Sequence, residues 1–376
     1  MTAVAVVGAG IGGLSAALAL AADGHQVTVL ERSARFEAVG AGLVLTPNAV
    51  QPLARLGVHL DDDAQVLTQM EVRGRSGRRL TAIDLARLAS TYGPSYGIAR
   101  PRLHALLADA LPPSVEVVLG APVTALEESD QAVTVTWPGA AQSFDLVVAA
   151  DGLRSTVRPM IGGPQRLRSA HSTCWRGIVP LDAGSGAVES WADGNRVGVV
   201  PVGDGQAYYY LVRVSPAGAR PPTSVAALEA LFAGHSGTAG RLVDSLTKLP
   251  PLHHDLFELD RPFWGRGRVL LLGDAAHAMT PNQGQGAAMA IEDVLAVTLA
   301  LRAGPNGALE RYRSARARRV RKAQLTSRRI GALASLRGPG VARVREAVMR
   351  LAPSDAATTA MRQLVETGPP TPAPAQ

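Results

Sequence analysis

The sequence of 376 residues suits one large domain or two of moderate size, and its 47% hydrophobic content predicts a sizeable core. It has no run of about 18 apolar residues, which argues against a membrane-spanning helix, and it begins with a core strand rather than a basic leader, which argues against a signal peptide. The single cysteine, Cys174, excludes an intramolecular disulfide, argues against a cysteine-built metal site and favours a reducing, cytoplasmic setting.

Charge is unevenly spread along the chain. The formal net charge is +7, but residues 302–350 hold fourteen Arg or Lys and two Glu, so this segment carries +12 and the remainder −5. Within it, Tyr312–Lys322 is predicted to form a helix whose charged face is solvated. No aromatic side chains interleave with these cations and no nucleic-acid motif accompanies them, so nucleic acid is not an expected partner. The Pro-rich segment 367–376 is predicted to be disordered.

The first element is an apolar strand, Ala3–Val7, which runs into a glycine turn and then a helix over Leu14–Ala22. Gly8, Gly10 and Gly13 form the GxGxxG pattern of dinucleotide-binding folds. The first glycine permits the tight turn, the second lets a pyrophosphate approach the main chain, and the third allows the helix to pack close to the sheet. The helix N-terminus then offers unpaired N–H groups and the positive end of its dipole to the phosphates.

A second strand, Gln26–Leu30, ends on an acid, Glu31. This carboxylate follows Gly8 at the spacing at which such folds hydrogen-bond the adenosine ribose. An acid there accepts hydrogen bonds from the 2′-hydroxyl and repels a 2′-phosphate. The resident dinucleotide is therefore predicted to be FAD or NAD(H) and not NADP(H).

The next part of the chain predicts a mixture of helices and strands. A short helix covers Ala49–Leu56, a hairpin covers residues 70–82, and a helix runs from Arg100 to Leu111, where two prolines stop it. The predicted strands that follow are Val115–Leu119, Val123–Glu127, Ala132–Trp137 and the apolar Asp145–Ala150, which ends on Asp151 and Gly152.

Residues 172–213 alternate in hydrophobicity like an antiparallel sheet, with strands at Val197–Pro201 and Gln206–Arg213 around a Gly-Asp-Gly turn. On the second of these strands, Tyr208 and Tyr210 are expected on one face and the intervening tyrosine on the other.

Another buried strand, Arg268–Leu272, ends on Gly273 and Asp274, and a long helix follows from Gly286 to Arg302. Strands typical of nucleotide-binding folds therefore occur at both ends of the chain, with a mostly antiparallel sheet between them. This order predicts an α/β protein with a discontinuous Rossmann-like cofactor domain, an inserted, mostly antiparallel substrate-side sheet and a C-terminal helical segment.

Three motifs in this order carry a family resemblance. They are Gly8-x-Gly10-x-x-Gly13, the segment 145–158 (DLVVAADGLRSTVR) and the segment 267–277 (GRVLLLGDAAH), and residues 281–293 (PNQGQGAAMAIED) extend the match. Together they resemble the single-component, group A flavin monooxygenases, the para-hydroxybenzoate-hydroxylase-like aromatic hydroxylases. The resemblance covers nearly the whole chain, and its second and third motifs are more specific than the first.

The resemblance implies a tightly but non-covalently bound FAD. Asp274 would contact its ribityl chain, and Arg100 would contact the cofactor from the start of a helix. Asp151 and Arg158 would support both the FAD and a transient nicotinamide cofactor. The helix that opens near Gly284 would direct its N–H groups toward the flavin pyrimidine ring and stabilise the anionic reduced flavin. The full set of expected FAD contacts is Gly8, Gly10, Gly12, Gly13, Glu31, Arg32, Gly42, Arg100, Val123, Asp151, Arg158, Asp274, Gly284, Gly286 and Ala287.

The chemistry of the family is the next implication. NADPH or NADH would reduce the FAD, O2 would form a flavin C4a-hydroperoxide, and one oxygen atom would pass to an electron-rich aromatic, phenolic or polyene small molecule as a hydroxyl or an epoxide. The protein would exclude water and hold the target carbon over the flavin. The chain has no second GxGxxG, which fits transient docking of the nicotinamide, and no metal is expected. A monomer and a homodimer are both compatible with this interpretation.

The inserted sheet and the loop at Pro281 are the expected substrate side. Arg196 and Tyr208 are the candidate substrate-positioning residues, because a guanidinium and a phenol can together bind or deprotonate an acidic ring hydroxyl. This stretch is similar to the urate hydroxylases of the family, which use an Arg and a Tyr here but place an Asp directly after the motif proline, where this chain has Asn282. The other expected lining residues are Trp191, Val199, Tyr210, Pro281 and Asn282.

Two other functions stay open at this point. One is another flavoenzyme of the same fold, such as an isoprenoid-chain reductase or a halogenase, although residues 175–180 lack the second tryptophan of the halogenase signature. Oxygen-dependent product formation would separate an oxygenase from a reductase. The other is a flavin-binding homologue without catalysis, which substrate-stimulated NAD(P)H oxidation would exclude. Two motif residues also have structural alternatives, because Asp151 could simply cap a turn and His277 could be packed at a strand end.

The motifs also set the expected domain boundaries. Three separate segments would assemble the FAD-binding domain, and the substrate-binding sheet would come from two others. The boundaries are 1–70, 96–168 and 262–302 for the FAD-binding domain, 71–95 and 169–261 for the substrate-binding sheet, 303–366 for the C-terminal helices and 367–376 for the disordered tail.

Overall fold

The computed structural model describes residues 1–36, 40–222, 224–246 and 251–366, so the predicted disorder of residues 367–376 lies outside the described part of the chain. Its strands are β1 (Ala3–Val7), β2 (Gln26–Glu31), β3 (Gly42–Leu45), β4 (Gln65–Leu67), β5 (Gln69–Gly74), β6 (Arg79–Asp84), β7 (Ser95–Ala99), β8 (Glu116–Leu119), β9 (Ala125–Glu128), β10 (Val133–Trp137), β11 (Ala140–Phe144), β12 (Leu146–Ala149), β13 (Arg168–Pro180), β14 (Gly186–Trp191), β15 (Asn195–Gly203), β16 (Gln206–Val214), β17 (Leu252–Glu258), β18 (Gly265–Arg266) and β19 (Val269–Leu271).

The helices complete the description. They are α1 (Ile11–Ala22), α2 (Pro47–Arg55), α3 (Leu85–Tyr92), α4 (Arg100–Asp109), α5 (Val157–Met160), α6 (Val225–Phe232), α7 (Thr238–Asp244), α8 (Asp274–His277), α9 (Gly286–Arg302), α10 (Ala308–Ala334), α11 (Pro339–Leu351) and α12 (Ala356–Glu366), with a 3-10 turn over Pro281–Gln283.

The first large sheet has the strand order β18-β19-β12-β1-β2-β8, and all its neighbouring strands are parallel except β18 and β19. Valine and other apolar residues fill β1, β2 and β12, which suits strands that are covered on both faces. Helices α1 and α9 cover one face, and the small sheet β11-β10-β9 with α5 covers the other. This confirms the predicted discontinuous Rossmann-like part, because β19 joins from far along the chain.

The second large sheet has the order β17-β13-β16-β15-β14-β5-β6 and is antiparallel except for the pair β14 and β5. On one face, Trp175, Val199 and Tyr209 form a buried cluster with α6 and α7. The opposite face carries Tyr208 and Tyr210 and packs toward the small sheet β3-β7-β4. The inserted, mostly antiparallel sheet is therefore confirmed, and its tyrosine-bearing face turns toward the cofactor part.

Sequence patterns alone do not predict every element. The elements without a counterpart among those expected include the strands β4, β7, β11 and β17 and the helices α3, α6 and α7. Most are short, so their local hydrophobic periodicity is weak, and packing against the sheets determines where they form.

Helix α9 carries two adjacent acids, Glu292 and Asp293, that are fully buried. Arg316 of α10, which is also fully buried, donates from Nε to Asp293 Oδ1 over 2.7 Å and from Nη1 to Glu292 Oε2. Burial alone would raise the pKa of Asp293, but His277 and Arg316 outweigh it and hold that pKa below its ordinary value. The expectation of a solvated charged face on Tyr312–Lys322 is therefore wrong for Arg316, because two buried acids need this cation.

We expect Arg316→Met to lower the free energy of unfolding by about 3–5 kcal/mol, because it leaves buried Asp293 without its guanidinium and buried Glu292 with Arg319 alone. Arg313→Met is the matched control. Arg313 lies on the same helix but is exposed, and its ion pair among the described residues is with exposed Glu310, so its loss should leave stability nearly unchanged. Urea unfolding followed by circular dichroism measures both variants, and equal stability of the two would contradict the role given to the buried contact.

Candidate functional site: two open helix N-termini facing a tyrosine-lined sheet

The glycine turn between β1 and α1 has the backbone that the GxGxxG motif requires. Gly8 has a φ of 97°, in the region that favours glycine. A Cβ on Gly13 would lie 1.8 Å from the carbonyl oxygen of Gly8, and one on Gly12 would lie 2.8 Å from the Leu272 side chain. Gly10 has no atom within 4 Å of an added Cβ, and α1 begins without a capping side chain. The turn thus presents open space and uncapped N–H groups where a phosphate would bind.

The end of β2 lies beside the same turn. The Glu31 carboxylate accepts a hydrogen bond from Ala9 N over 2.7 Å, which holds it against the glycine turn. Val123 is buried near this corner, where Ala121 N donates to the main-chain oxygen of Glu31. Arg32 is exposed. An acid fixed in this way can accept hydrogen bonds from a ribose whose phosphates lie at the turn.

The Asp-Gly motif after β12 forms a tight loop. Asp151 Oδ2 accepts a hydrogen bond from Thr156 N over 2.8 Å and so caps α5, whereas Asp151 Oδ1 is buried without a partner among the described residues. The Arg158 guanidinium is buried and donates to main-chain carbonyls, namely those of Leu153, Pro164 and Ala275. Arg158 therefore supports the loop and the adjoining α8 from behind rather than from the open surface.

Asp274 begins α8 at the C-terminal end of the parallel sheet. Solvent reaches its carboxylate, but protein atoms surround it, and this desolvation raises its pKa while nearby His277, Arg100 and Arg176 partly offset the rise. Arg100 comes from α4, where its side chain lies over Gly40, and Arg176 comes from β13. The edge of the parallel sheet and the antiparallel sheet therefore face each other at Asp274.

The start of α9 is a second open helix N-terminus. Pro281 is exposed at the beginning of the 3-10 turn, which ends at Gly284 with a φ of 65°. Neither Gly284 nor Gly286 has a described atom within 4 Å of an added Cβ, Ala287 is half-buried, and the side chain of the N-cap residue, Gln285, does not cap the helix. Two open N-termini, an acid beside the first and Asp274 between them fit the phosphates, ribose and ribityl chain of an FAD.

On the antiparallel sheet, Arg196 is 5% exposed and joins two polar side chains. Its Nη1 donates to Asn282 Oδ1 over 2.7 Å and to Glu189 Oε1 over 3.3 Å. Asn282 is itself fixed, because its Nδ2 donates to Thr280 Oγ1 over 2.9 Å and to the main-chain oxygen of Ser327 over 3.0 Å. The structure thus brings together Arg196 and Asn282, which the sequence places far apart.

Two glycines, which have no Cβ, allow two tyrosines to pack closely against them on the Arg196 side of the sheet. A Cβ on Gly42 would be 2.5 Å from the Cβ of Tyr208, and one on Gly198 would be 2.0 Å from the ring of Tyr210. The two tyrosine rings lie 5.8 Å apart between centroids. Gly42 therefore acts as a close-approach position between the cofactor part and the sheet.

The remaining expected lining residues divide between the two faces. Val199 pairs with Tyr209 and is buried under α6 and α7, so the expectation that it lines a substrate site is wrong: strand alternation turns it away from Arg196. Trp191 pairs with Arg196 and shares its face. Its indole N–H is buried without a partner among the described residues, and the Arg345 guanidinium lies 5.4 Å from its ring centroid.

Two functional candidates were missed by sequence reasoning, Arg176 and Glu189. Arg176 Nε donates to Cys174 Sγ over 3.3 Å, and the guanidinium acts electrostatically on Tyr208 and Tyr210. Its Nη atoms have no hydrogen-bond partner among the described residues. The available signal was a charged residue within the otherwise apolar second half of β13, residues 174–180, but the register that sets Arg176 beside Tyr210 is not readable from the sequence.

The fold and this site define a flavoprotein with an FAD cleft and a facing sheet. The chain matches the FAD binding domain family over residues 1–327, and it belongs to that family.

Individual relatives narrow the class. The chain is 33% identical over 366 residues to the aurachin C monooxygenase/isomerase of Stigmatella aurantiaca, with 94% of each chain covered. It is 34% identical over 369 residues to the 2-heptyl-3-hydroxy-4(1H)-quinolone synthase of Pseudomonas aeruginosa, covering 93% of this chain and 94% of that protein. The structure resembles Klebsiella pneumoniae HpxO complexed with FAD and uric acid, with a TM-score of 0.88, 30% identity, and 98% and 97% of the two chains covered.

These relatives make the chain an FAD-dependent monooxygenase, an oxidoreductase that incorporates one oxygen atom, as the motifs indicated. A reductase and a non-catalytic homologue are not favoured. In the described part of the chain, no helix has the length and apolar character needed to cross a membrane.

We expect Gly13→Ala to prevent correct formation of the turn, because its Cβ would overlap the main-chain oxygen of Gly8. Gly10→Ala is the informative counterpart, since its Cβ meets only open space in the protein but would obstruct a phosphate. It should keep the thermal stability of the FAD-free protein and weaken FAD binding by roughly tenfold or more.

Thermal unfolding of the FAD-free variants and fluorescence titration with FAD separate the two effects. If Gly10→Ala bound FAD as tightly as the wild-type protein, the phosphates would not lie at this turn.

Proposed function

We propose that this monooxygenase hydroxylates an electron-rich nitrogen heteroaromatic that bears a ring hydroxyl or carbonyl, with quinolones as the first class to test. The observation that carries the proposal is the 2.7 Å contact between Arg196 Nη1 and Asn282 Oδ1, which places a fixed cation on the tyrosine-bearing face beside the 3-10 turn. Relatives named for a quinolone, for urate and for 6-hydroxynicotinate all concern nitrogen heteroaromatics, which supports this class.

The polar groups of this face favour an aromatic over a polyene substrate. Both amide ends of Asn282 are used within the protein, so its role is to orient Arg196. Among the described residues, none accepts a hydrogen bond from Nε or Nη2 of Arg196, and these donors are available to a substrate oxygen. A polyene has no such oxygen, and it would leave Nε and Nη2 of Arg196 without an acceptor.

Arg196 has a chemical as well as a positioning role in this proposal. A cation beside a ring hydroxyl favours its deprotonated form, and the resulting oxyanion donates electron density into the ring. Tyr208 lies on the same face of the sheet and stays neutral, because burial raises its pKa to about 12 despite the opposing charge of Arg176. Tyr208 therefore serves as a hydrogen-bond donor rather than a base at neutral pH.

Bound FAD supplies the oxygen-activating chemistry. We propose NADH or NADPH as the two-electron reductant; O2 then gives one oxygen atom to the ring, and the other leaves as water. Glu31 disfavours a 2′-phosphate only in the resident dinucleotide, so NADH and NADPH are both candidates for the transient reductant. The residues that would hold FAD are those at the two open helix N-termini together with Glu31, Asp274 and Arg100.

The division of labour follows the expected boundaries. We propose that residues 1–70, 96–168 and 262–302 hold the cofactor, that residues 71–95 and 169–261 hold the substrate, and that residues 303–366 support both from outside. A cytoplasmic location is proposed from the single, buried thiol of Cys174.

The direct test is NADH and NADPH oxidation by the FAD-loaded protein in the presence of 2-heptyl-4-quinolone, 6-hydroxynicotinate or urate, with products examined by mass spectrometry. We expect the quinolone to accelerate oxidation and to gain one oxygen atom. Oxidation that no compound accelerates would count against the substrate class, and accelerated oxidation that yields only hydrogen peroxide would count against oxygen transfer.

With the accepted compound, we expect Arg196→Met to lower kcat/KM by roughly 10- to 100-fold, because a charge-assisted hydrogen bond to the substrate is lost. Arg196→Lys should recover part of the loss. Arg213→Met, an exposed position on the neighbouring strand, is the control and should behave like the wild-type protein. FAD content and melting temperature are measured alongside, and a wild-type kcat/KM for Arg196→Met would remove Arg196 from the substrate site.

A further inference from the structure

Helix α11 turns an apolar stripe to the solvent. Its members are Val341, Val344, Val348 and Leu351, and their exposed fractions are 46%, 64%, 62% and 85%. Spacings of three and four residues place these side chains on one side of the helix. We call them the α11 stripe. Soluble proteins rarely expose contiguous apolar side chains in this way unless something binds them.

Basic side chains border the stripe. Arg343 and Arg350 are exposed and stand two helical turns apart on the adjoining side of α11. Glu346 is turned inward, where it lies beside Gly74 of β5. Among the exposed side chains of α11 that the structure describes, none is acidic. The helix therefore presents apolar contact area and positive charge side by side.

We propose that the α11 stripe is a docking surface for an anionic lipid bilayer, on which α11 lies in the plane of the interface. An amphipathic helix with an apolar side and arginines beside it matches a surface that is apolar below and negatively charged at the headgroups. A second copy docked through the same stripe would bring the exposed Arg343 and Arg350 of both copies together, so self-association is the weaker match.

The inner side of the same helix reaches the substrate face. Arg345 is buried, lies over the ring of Trp191 and donates to the main-chain oxygen of Ala192. Trp191 in turn pairs with Arg196 across β14 and β15. Helix α11 thus lies between the outer surface and the strands that carry the candidate site. Docking through its outer side would bring those strands close to the bilayer surface without requiring any particular substrate.

Sedimentation of the FAD-loaded full chain with lipid vesicles tests the proposal. We expect binding to vesicles of equimolar phosphatidylcholine and phosphatidylglycerol, weaker binding as salt increases, and no binding to vesicles of phosphatidylcholine alone. The double variant Val344→Glu/Val348→Glu should lower the bound fraction by about tenfold or more, because it places charge in the apolar contact. The double variant Arg343→Glu/Arg350→Glu should also lose binding to the anionic vesicles.

Val66→Glu is the matched control, because Val66 is 42% exposed on β4 and lies outside the stripe. It should bind like the wild-type protein. The proposal is overturned if the wild-type chain stays in the supernatant with the anionic vesicles, or if the stripe variants sediment as well as the control. It is also overturned if gel filtration shows a dimer that Val344→Glu/Val348→Glu converts to a monomer, since the stripe would then be a self-association surface.

Discussion

Glu292 and Asp293 are adjacent and fully buried acids of α9. The edge of the cofactor cleft depends on how their negative charge is neutralised. Arg316 of α10 contacts both acids, Arg319 of the same helix also contacts Glu292, and the remaining lone pairs hold other parts of the fold. Asp293 Oδ2 accepts from Gly273 N over 3.0 Å, directly before Asp274. Glu292 Oε1 accepts from Asn48 Nδ2 over 2.7 Å, which ties in α2. This buried group of ionic contacts thus fixes α9, whose N-terminus faces the cleft, relative to the turn that carries Asp274.

A second constraint is the absence of side-chain volume where the sheets meet. A Cβ on Gly97 would lie 2.2 Å from the main-chain oxygen of Pro201, and one on Gly42 would overlap Tyr208. The small sheet β3-β7-β4 can therefore lie directly on the tyrosine-bearing face of the large one. Because the small sheet continues into α4 and Arg100, this close approach sets the distance between the cofactor groups and the substrate face. The ion pairs of α9 and the absence of side chains at Gly42 and Gly97 together determine the width of the cleft.

The sequence allowed the local features to be predicted and left the long-range ones open. The turn at Gly13 and the acid at Glu31 follow from short spacings whose physical requirements are local, and both are where the pattern implies. Val199 was wrongly expected to line the substrate site. Its strand was predicted correctly, but strand alternation, which places Val199 and Arg196 on opposite faces, was not applied. Arg176 was missed because its position depends on the pairing of β13 with β16. The burial of Arg316 was missed because it depends on acids in another helix, and a basic stretch alone is typical of a solvated surface.

Charge is arranged differently on the two sides of the cleft. On the cofactor side, Arg100 and Arg176 both act electrostatically on Asp274, so two cations stand against one acid there. On the sheet, Arg196 is balanced by Glu189 through only one of its nitrogens. Each side therefore keeps guanidinium N–H groups for a bound molecule, while the tyrosines between them stay neutral because burial raises their pKa values. In a site of low polarity, such an excess of positive charge stabilises an oxyanion on an aromatic ring more than it would in water. This charge balance is the physical reason for proposing electron-rich, acidic heteroaromatics as substrates rather than neutral hydrocarbons of the same size.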